Sequence, residues 1–206
     1  MTGSIQGERF GAMILAGGLA TRMGGRPKSE LKLAGHTFLE IAESLLEEYS
    51  PGYVSVMNPG SIPVGRFLQV PDYLPEKGPL GGIYSVLRVS IADKLVTLPC
   101  DMPFMTKEVI DYIISEYSGE DVLTIEDSSG REFPLCGIYT TGCLGAVKKM
   151  VEEDYLKVRV LREKVHARVL RIPKRFDGSG WMHNINTPEA YEQCRERNSG
   201  KNGNHE

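Results

Sequence analysis

A chain of 206 residues, 41% hydrophobic and 25% charged, is long enough to bury one sizeable core. A net charge of −3 gives no reason to expect a nucleic-acid partner. The first ten residues lack the apolar stretch of a signal peptide and no later run approaches a membrane span, so a soluble cytoplasmic protein with no membrane partner is expected. Cys100, Cys136, Cys143 and Cys194 form no C-x-x-C pair, which suits reduced thiols rather than a zinc site or disulfides.

Residues 1–9 and 198–206 are expected to be flexible tails around a single domain spanning 10–197. The apolar run Gly11–Leu15 reads as a strand that breaks into a glycine-rich loop. Next comes a helix capped by Thr37, with Glu40 completing a capping box and Phe38, Ala42, Leu45, Leu46 and Tyr49 on one face. Strands are predicted at Tyr53–Met57 and Arg66–Val70, followed by a helix opening at Pro79. A strand over Lys94–Leu98, a helix capped by Thr106 with Val109, Ile110, Ile113 and Ile114 inward, and a strand over Asp121–Ile125 complete the pattern. Strands alternating with amphipathic helices imply a three-layer α/β/α, Rossmann-like architecture around a mostly parallel sheet.

The loop after the first strand carries Gly17, Gly18, Gly24 and Gly25 together with Arg22 and Lys28. Glycines let backbone N–H groups converge on an anion, and the two cations add fixed positive charge. A hairpin that merely turned the chain would have no use for both. Pro27 excludes the Walker loop, which needs Gly before its Lys, and the dinucleotide G-x-G-x-x-G spacing is also missing.

Further on, Pro99-Cys-Asp101-Met-Pro places a carboxylate at a strand end. It could hold Mg²⁺, which prefers one or two carboxylates plus phosphate and water, or it could cap the following turn. Asp72 ends the third strand, and Gly78 and Gly82 flank a helix start able to offer free N–H donors to a phosphate or a base edge, or simply to begin a helix. Asn184 and Asn186 alternate around Ile185, which sends both amides to one side; they could equally cap the last helix. Residues 148–175 hold ten Lys and Arg against four acids, and such a run is either a solvated face or an anion-attracting surface. Its low aromatic content argues against RNA.

In order along the chain, L-A-G-G-x-x-x-R-M-G-G-x-x-K, V-P-D, G-P-L-x-G, P-C-D-M-P and N-x-N-T-P resemble the nucleotidyltransferases of Rossmann-like fold. The resemblance is strongest to the molybdenum cofactor guanylyltransferases, the molybdopterin-guanine dinucleotide biosynthesis protein A family, and it covers residues 12–191. It implies transfer of GMP from GTP to the phosphate of molybdopterin with release of pyrophosphate, and Mg²⁺ as cofactor. By the same resemblance Arg22, Lys28 and Asp101 are catalytic, and Leu15, Ala16, Gly17, Gly18, Gly25, Lys28, Asn58, Asp72, Gly78, Gly82 and Asp101 bind the nucleotide. Asp101 and Asn186 hold the metal. Asn184 and Asn186 are assigned to the acceptor, to which the basic run adds Lys157 and Arg159 as candidates for its anionic phosphate, and cofactor-donor or molybdoenzyme-maturation proteins are the partners admitted. A phosphate monoester is already anionic, so the reaction needs no general base. The alternatives are a cytidylyltransferase or another NTP:phosphate nucleotidyltransferase, in whose cytidylyl members the place of Gly17 is often Ala, and a non-catalytic nucleotide- or cofactor-binding accessory protein.

Overall fold

The computed structural model describes residues 9–17, 27–58, 60 and 62–199. In chain order the elements are β1 (Gly11–Leu15), a small hairpin of β2 (Lys32–Leu33) and β3 (His36–Thr37), α1 (Phe38–Leu45), β4 (Gly52–Val56), β5 (Leu68–Pro71), α2 (Gly78–Val89), β6 (Lys94–Pro99) and α3 (Lys107–Ser115). They continue with β7 (Val122–Glu126), β8 (Glu132–Thr140), α4 (Leu144–Glu152), α5 (Val158–Leu161), β9 (Ala167–Arg171) and α6 (Pro188–Ser199).

Seven strands form one sheet in the order β5-β4-β1-β6-β8-β7-β9. Every pairing is parallel except the two made by β8, which runs between β6 and β7 in the opposite sense. Period-2 alternation gives each strand two faces, and on the central strands β1, β4 and β6 both are buried. On β1, Ala12 and Ile14 meet α1 and α3, while Met13 and Leu15 meet α2 and α4. The result is the expected three-layer α/β/α arrangement.

The first helix forms as its sequence dictates. The Thr37 hydroxyl accepts the Glu40 N–H at 3.1 Å, and the Glu40 carboxylate accepts the Thr37 N–H at 2.7 Å. Phe38, Ala42 and Leu46 are buried, Leu45 and Tyr49 are half-buried, and Leu39 joins the inward face. Pro79 lies in the first turn of α2 and Thr106 at the N-cap of α3, although the Thr106 side chain makes no capping bond to the backbone. Of the five predicted strands Gly11–Leu15 forms as read and the other four shift by a residue or two, the largest change moving Arg66–Val70 to Leu68–Pro71. Neither β8, β9 nor the β2–β3 hairpin is anticipated by the alternation pattern. α6 continues through Ser199, beyond the predicted domain end at 197.

Candidate active site

The sheet order reverses at β1, because the chain steps from β1 outward to β4 and β5 and then returns to place β6 on the other side of β1. Carboxyl ends flanking such a switch point leave a crevice, since successive connections depart to opposite faces. A cavity of about 190 Å³ opens there, lined by Leu15, Ala16, Gly17, Lys28, Pro79, Pro99, Cys100, Asp101 and Leu135. A larger cleft of about 810 Å³ lies away from these strand ends, between the β2–β3 hairpin, α1 and residues 63–66.

Asp101 stands just beyond β6, after Cys100, and two distant segments of the sequence converge on it. The Lys28 ammonium donates to its Oδ2 at 3.0 Å and also to Asn186 Oδ1. The Asn184 amide donates to Oδ1 at 3.5 Å, and the Ile185 N–H donates to the Asp101 main-chain oxygen at 2.8 Å. Ile185 is buried against Leu31, Leu33 and Phe38, and this anchors the segment so that Asn184 meets the carboxylate and Asn186 the Lys28 ammonium. Lys28 opens a short 3₁₀ turn over Lys28–Glu30, and the hairpin behind it is tied to α6 through the Tyr191 hydroxyl, which donates to the Lys32 carbonyl at 2.9 Å.

Donor chemistry at this point suits a hard cation. Asn184 Oδ1 is buried without a hydrogen-bond partner, although buried polar atoms are normally satisfied. Among the described residues no group of three or more His, Cys, Asp and Glu is assembled. One carboxylate with neighbouring amide oxygens is the sparse protein contribution that Mg²⁺ takes when phosphates and water complete its shell. Cys100 borders the same cavity, and burial pushes its thiol up to about 12, so it is no nucleophile at neutral pH.

At the other end of the crevice, Asp72 follows β5. Its N–H donates to Val56 O at 2.8 Å, and its Oδ1 accepts the Ser55 hydroxyl at 3.3 Å. Burial pushes this carboxyl up to about 6, and the Ser55 bond offsets part of that rise. Gly78 has φ +57° with nothing near its missing Cβ, so backbone conformation is what requires glycine there. Gly82 differs. It is buried in α2, and a Cβ on it would lie 2.3 Å from Ser55 Oγ. A Cβ on Gly17 would make only ordinary contacts, with Met57 Cγ at 3.8 Å and Ser55 Oγ at 3.9 Å, so packing does not explain that glycine.

Leu15, Ala16, Gly17, Lys28 and Asp101 are therefore gathered at one cavity, with Asn184 and Asn186 bonded to its polar end. Asp72 and Gly78 stand further along the same strand ends. In the turn after β4, Met57 lies beside Gly17, while Asn58 is exposed. Gly18, Arg22 and Gly25 lie outside the described residues. Lys157 is exposed at the start of α5, and Arg159 pairs with Glu132 at 3.3 Å; neither is among the residues lining the cavity. Much of the basic run is internally paired, Arg162 with Glu132 at 2.8 Å, Arg171 with Glu126 at 2.6 Å and Arg168 with Glu120. Sequence reasoning overlooked Leu135, which arrives on the unforeseen β8, and Ser55, whose signal was a hydroxyl between two valines of an apolar strand.

A strand-end carboxylate, a lysine from a glycine-rich loop and a crevice at the sheet's switch point together define a nucleotide-handling α/β enzyme. The family model of the MobA-like NTP transferase domain matches residues 12–169, and the chain belongs to that family, the nucleotidyltransferases. A probable molybdenum cofactor guanylyltransferase of Clostridium perfringens is 32% identical over 195 residues, covering 88% of this chain and 93% of the relative. A protein of the same description from Halalkalibacterium halodurans is 30% identical, covering 88% of this chain and 95% of the relative. Among solved structures, molybdopterin-guanine dinucleotide biosynthesis protein A from Archaeoglobus fulgidus superposes with a TM-score of 0.75 at 22% identity, covering 93% of this chain and all of that one. The 2-C-methyl-D-erythritol 4-phosphate cytidylyltransferase of Thermus thermophilus shares the fold at a TM-score of 0.63 and 12% identity, covering 90% of this chain and 97% of that one.

Proposed function

We propose that this nucleotidyltransferase transfers GMP from GTP to the terminal phosphate of molybdopterin, giving molybdopterin guanine dinucleotide and pyrophosphate. The observation that carries the reading is the convergence of Lys28 and Asn184 on the Asp101 carboxylate, with Asn186 on the same Lys28 ammonium, at the mouth of the β1/β6 crevice. Relatives that match nearly the whole chain bear that activity in their descriptions.

Such a reaction must bring two phosphate anions together, so catalysis rests on positioning and on charge neutralisation. Asp101 would hold Mg²⁺, with the Asn184 and Asn186 oxygens beside it. Once bound, the ion supplies positive charge shared between the reacting phosphates. Lys28, whose ammonium rests between Asp101 and Asn186, would present its charge to the triphosphate from the same end of the crevice. The segment 183–186, fixed by Ile185, aims two amides at the place where the acceptor phosphate enters.

Asp72 lies three strand positions from Asp101, roughly 14 Å at the usual strand spacing. A carboxylate repels a triphosphate but accepts the adjacent N1–H and N2–H donors of guanine, so Asp72 belongs to the base end. The reaction fits a cytoplasmic biosynthetic enzyme. Pyrophosphate release measured with molybdopterin, Mg²⁺ and each of the four ribonucleoside triphosphates tests the proposal. GTP should give the highest kcat/KM. A higher value with CTP would overturn guanylyl transfer, and release with none of the four would leave a binding protein.

A further inference from the structure

Ser55 is 2% exposed near the carboxyl end of β4, between the buried Val54 and Val56 in sequence. Burying a hydroxyl costs free energy unless it is hydrogen-bonded, and the Ser55 hydroxyl gives its bond to a partner at another strand end. The residue facing it is Gly82, in the body of α2, where glycine is less favourable than alanine. Two locally unfavourable choices thus touch, and each explains the other, because a Cβ at 82 would approach Ser55 Oγ to 2.3 Å. Replacing both by alanine would remove the buried hydroxyl and improve the helix. Their joint presence points away from stability.

What the hydroxyl reaches is Asp72. The backbone around that residue is already fixed, since the Asp72 N–H is held by Val56 O at 2.8 Å and the Tyr73 N–H by Ser85 Oγ at 2.8 Å. Ser85, itself 1% exposed, donates in turn to Gly81 O at 2.7 Å. Rotation of the carboxyl about its side-chain bonds is the remaining freedom, and the Ser55 hydroxyl restrains it from Oδ1. Ser55 Oγ also stands 3.9 Å from where a Cβ on Gly17 would be. One side chain therefore links the glycine loop, the strand-end aspartate and the α2 glycine.

We propose that Ser55 is the positioning residue that orients the Asp72 carboxylate for the guanine edge, with Gly82 kept small to admit its hydroxyl. The inference rests on the nucleotide site proposed above and adds to it the group that sets base selectivity. It predicts an effect confined to the base end of GTP.

Calorimetric titrations of wild type and Ser55→Ala with GTP, CTP and inorganic tripolyphosphate, paired with thermal melts, separate the outcomes. The expected result is about tenfold weaker GTP binding, as for loss of a hydrogen bond to a charged group. Tripolyphosphate affinity should be unchanged, and kcat at saturating GTP close to wild type. Gly82→Ala should melt lower than wild type, and Ser55→Ala/Gly82→Ala should recover that loss without recovering GTP selectivity. Equal losses for GTP and tripolyphosphate, or no loss for either, would overturn the positioning role. A wild-type protein that binds GTP no better than CTP would instead overturn the guanine site itself, and the two failures are distinguishable.

Discussion

Asp101 meets its neighbours through three atoms: Oδ2 takes the Lys28 ammonium, Oδ1 the Asn184 amide, and the main-chain oxygen the Ile185 N–H. The last of these is backbone to backbone, so removing the carboxylate should leave the segment 183–186 in place. Asp101→Ala is accordingly expected to fold with a wild-type melting profile while pyrophosphate release falls on the order of a thousandfold, the scale of losing a metal-holding charge. Turnover near wild type would mean that the metal is held elsewhere. Asp72 has a different signature. Its carboxyl is raised by burial to about 6 from 3.8, so the folded chain keeps this proton more tightly than the unfolded one. The stability it contributes is full below about pH 4 and is lost as pH rises through 6. Asp72→Asn should therefore gain stability relative to wild type between pH 5 and pH 7.5, as read by urea unfolding at both values. GTP affinity of the wild type should weaken as pH drops through about 6, and that slope should flatten in Asp72→Asn. Asp101, Lys28 and the two asparagines were legible as residues because short polar signatures between apolar runs stand out. That they bond one another was not, because contacts separated by 73 and 158 positions depend on the fold.

At the level of elements, β8 is the departure from a simple alternation of strand and helix. It runs against its neighbours, carries Leu135 to the cavity, and its register with β7 shifts between Thr124 and Ile125. Gly137 makes the shift possible: it has φ +143°, and a Cβ there would fall 1.9 Å from Leu123 O. Backbone rather than a flexible side chain blocks the space. Gly137→Ala is expected to cost about 3 kcal/mol or more, in chemical denaturation, and to lower activity only in step with the folded fraction. A stability loss under about 1 kcal/mol would show that the strand accommodates the methyl by moving. The composition of β8 explains why it escapes a sequence reading. Pro134 and Gly137 interrupt an otherwise apolar Glu132–Thr140, and both residues ordinarily mark turns. In β9 the arginines 168 and 171 merge with the flanking basic run, so a strand is disguised as a charged surface. Parallel strands buried on both faces, such as β1 and β6, carry the strongest apolar signal and are the ones the sequence announces.

Across the whole molecule, the charge is divided. Residues 148–175 carry a positive excess while the chain as a whole is at −3. Several of these cations are spent on Glu120, Glu126 and Glu132, which ties α5 and β9 to the sheet edge. Glu132 opens β8 opposite Glu126, and because β8 is antiparallel this places Arg159 at the same end of the sheet as Asp101. Lys157, two residues away, is exposed. The pair stands beyond the cavity lining, so its proposed effect on an anionic acceptor is one of field rather than contact, and such effects decay over a Debye length of about 10 Å at 0.1 M salt. Lys157→Gln/Arg159→Gln should then raise the apparent KM for molybdopterin by about threefold at low ionic strength, with the difference largely gone at about 0.5 M salt, and should leave GTP affinity unchanged because neither side chain lines the crevice proposed for the nucleotide. Steady-state kinetics at the two salt concentrations, varying each substrate in turn, provide the measurement. A KM increase that persists at high salt would place one of these side chains in direct contact with the acceptor. An equal rise for GTP and molybdopterin, or none for either, would reduce the basic segment to a solvated face whose arginines serve the sheet edge alone.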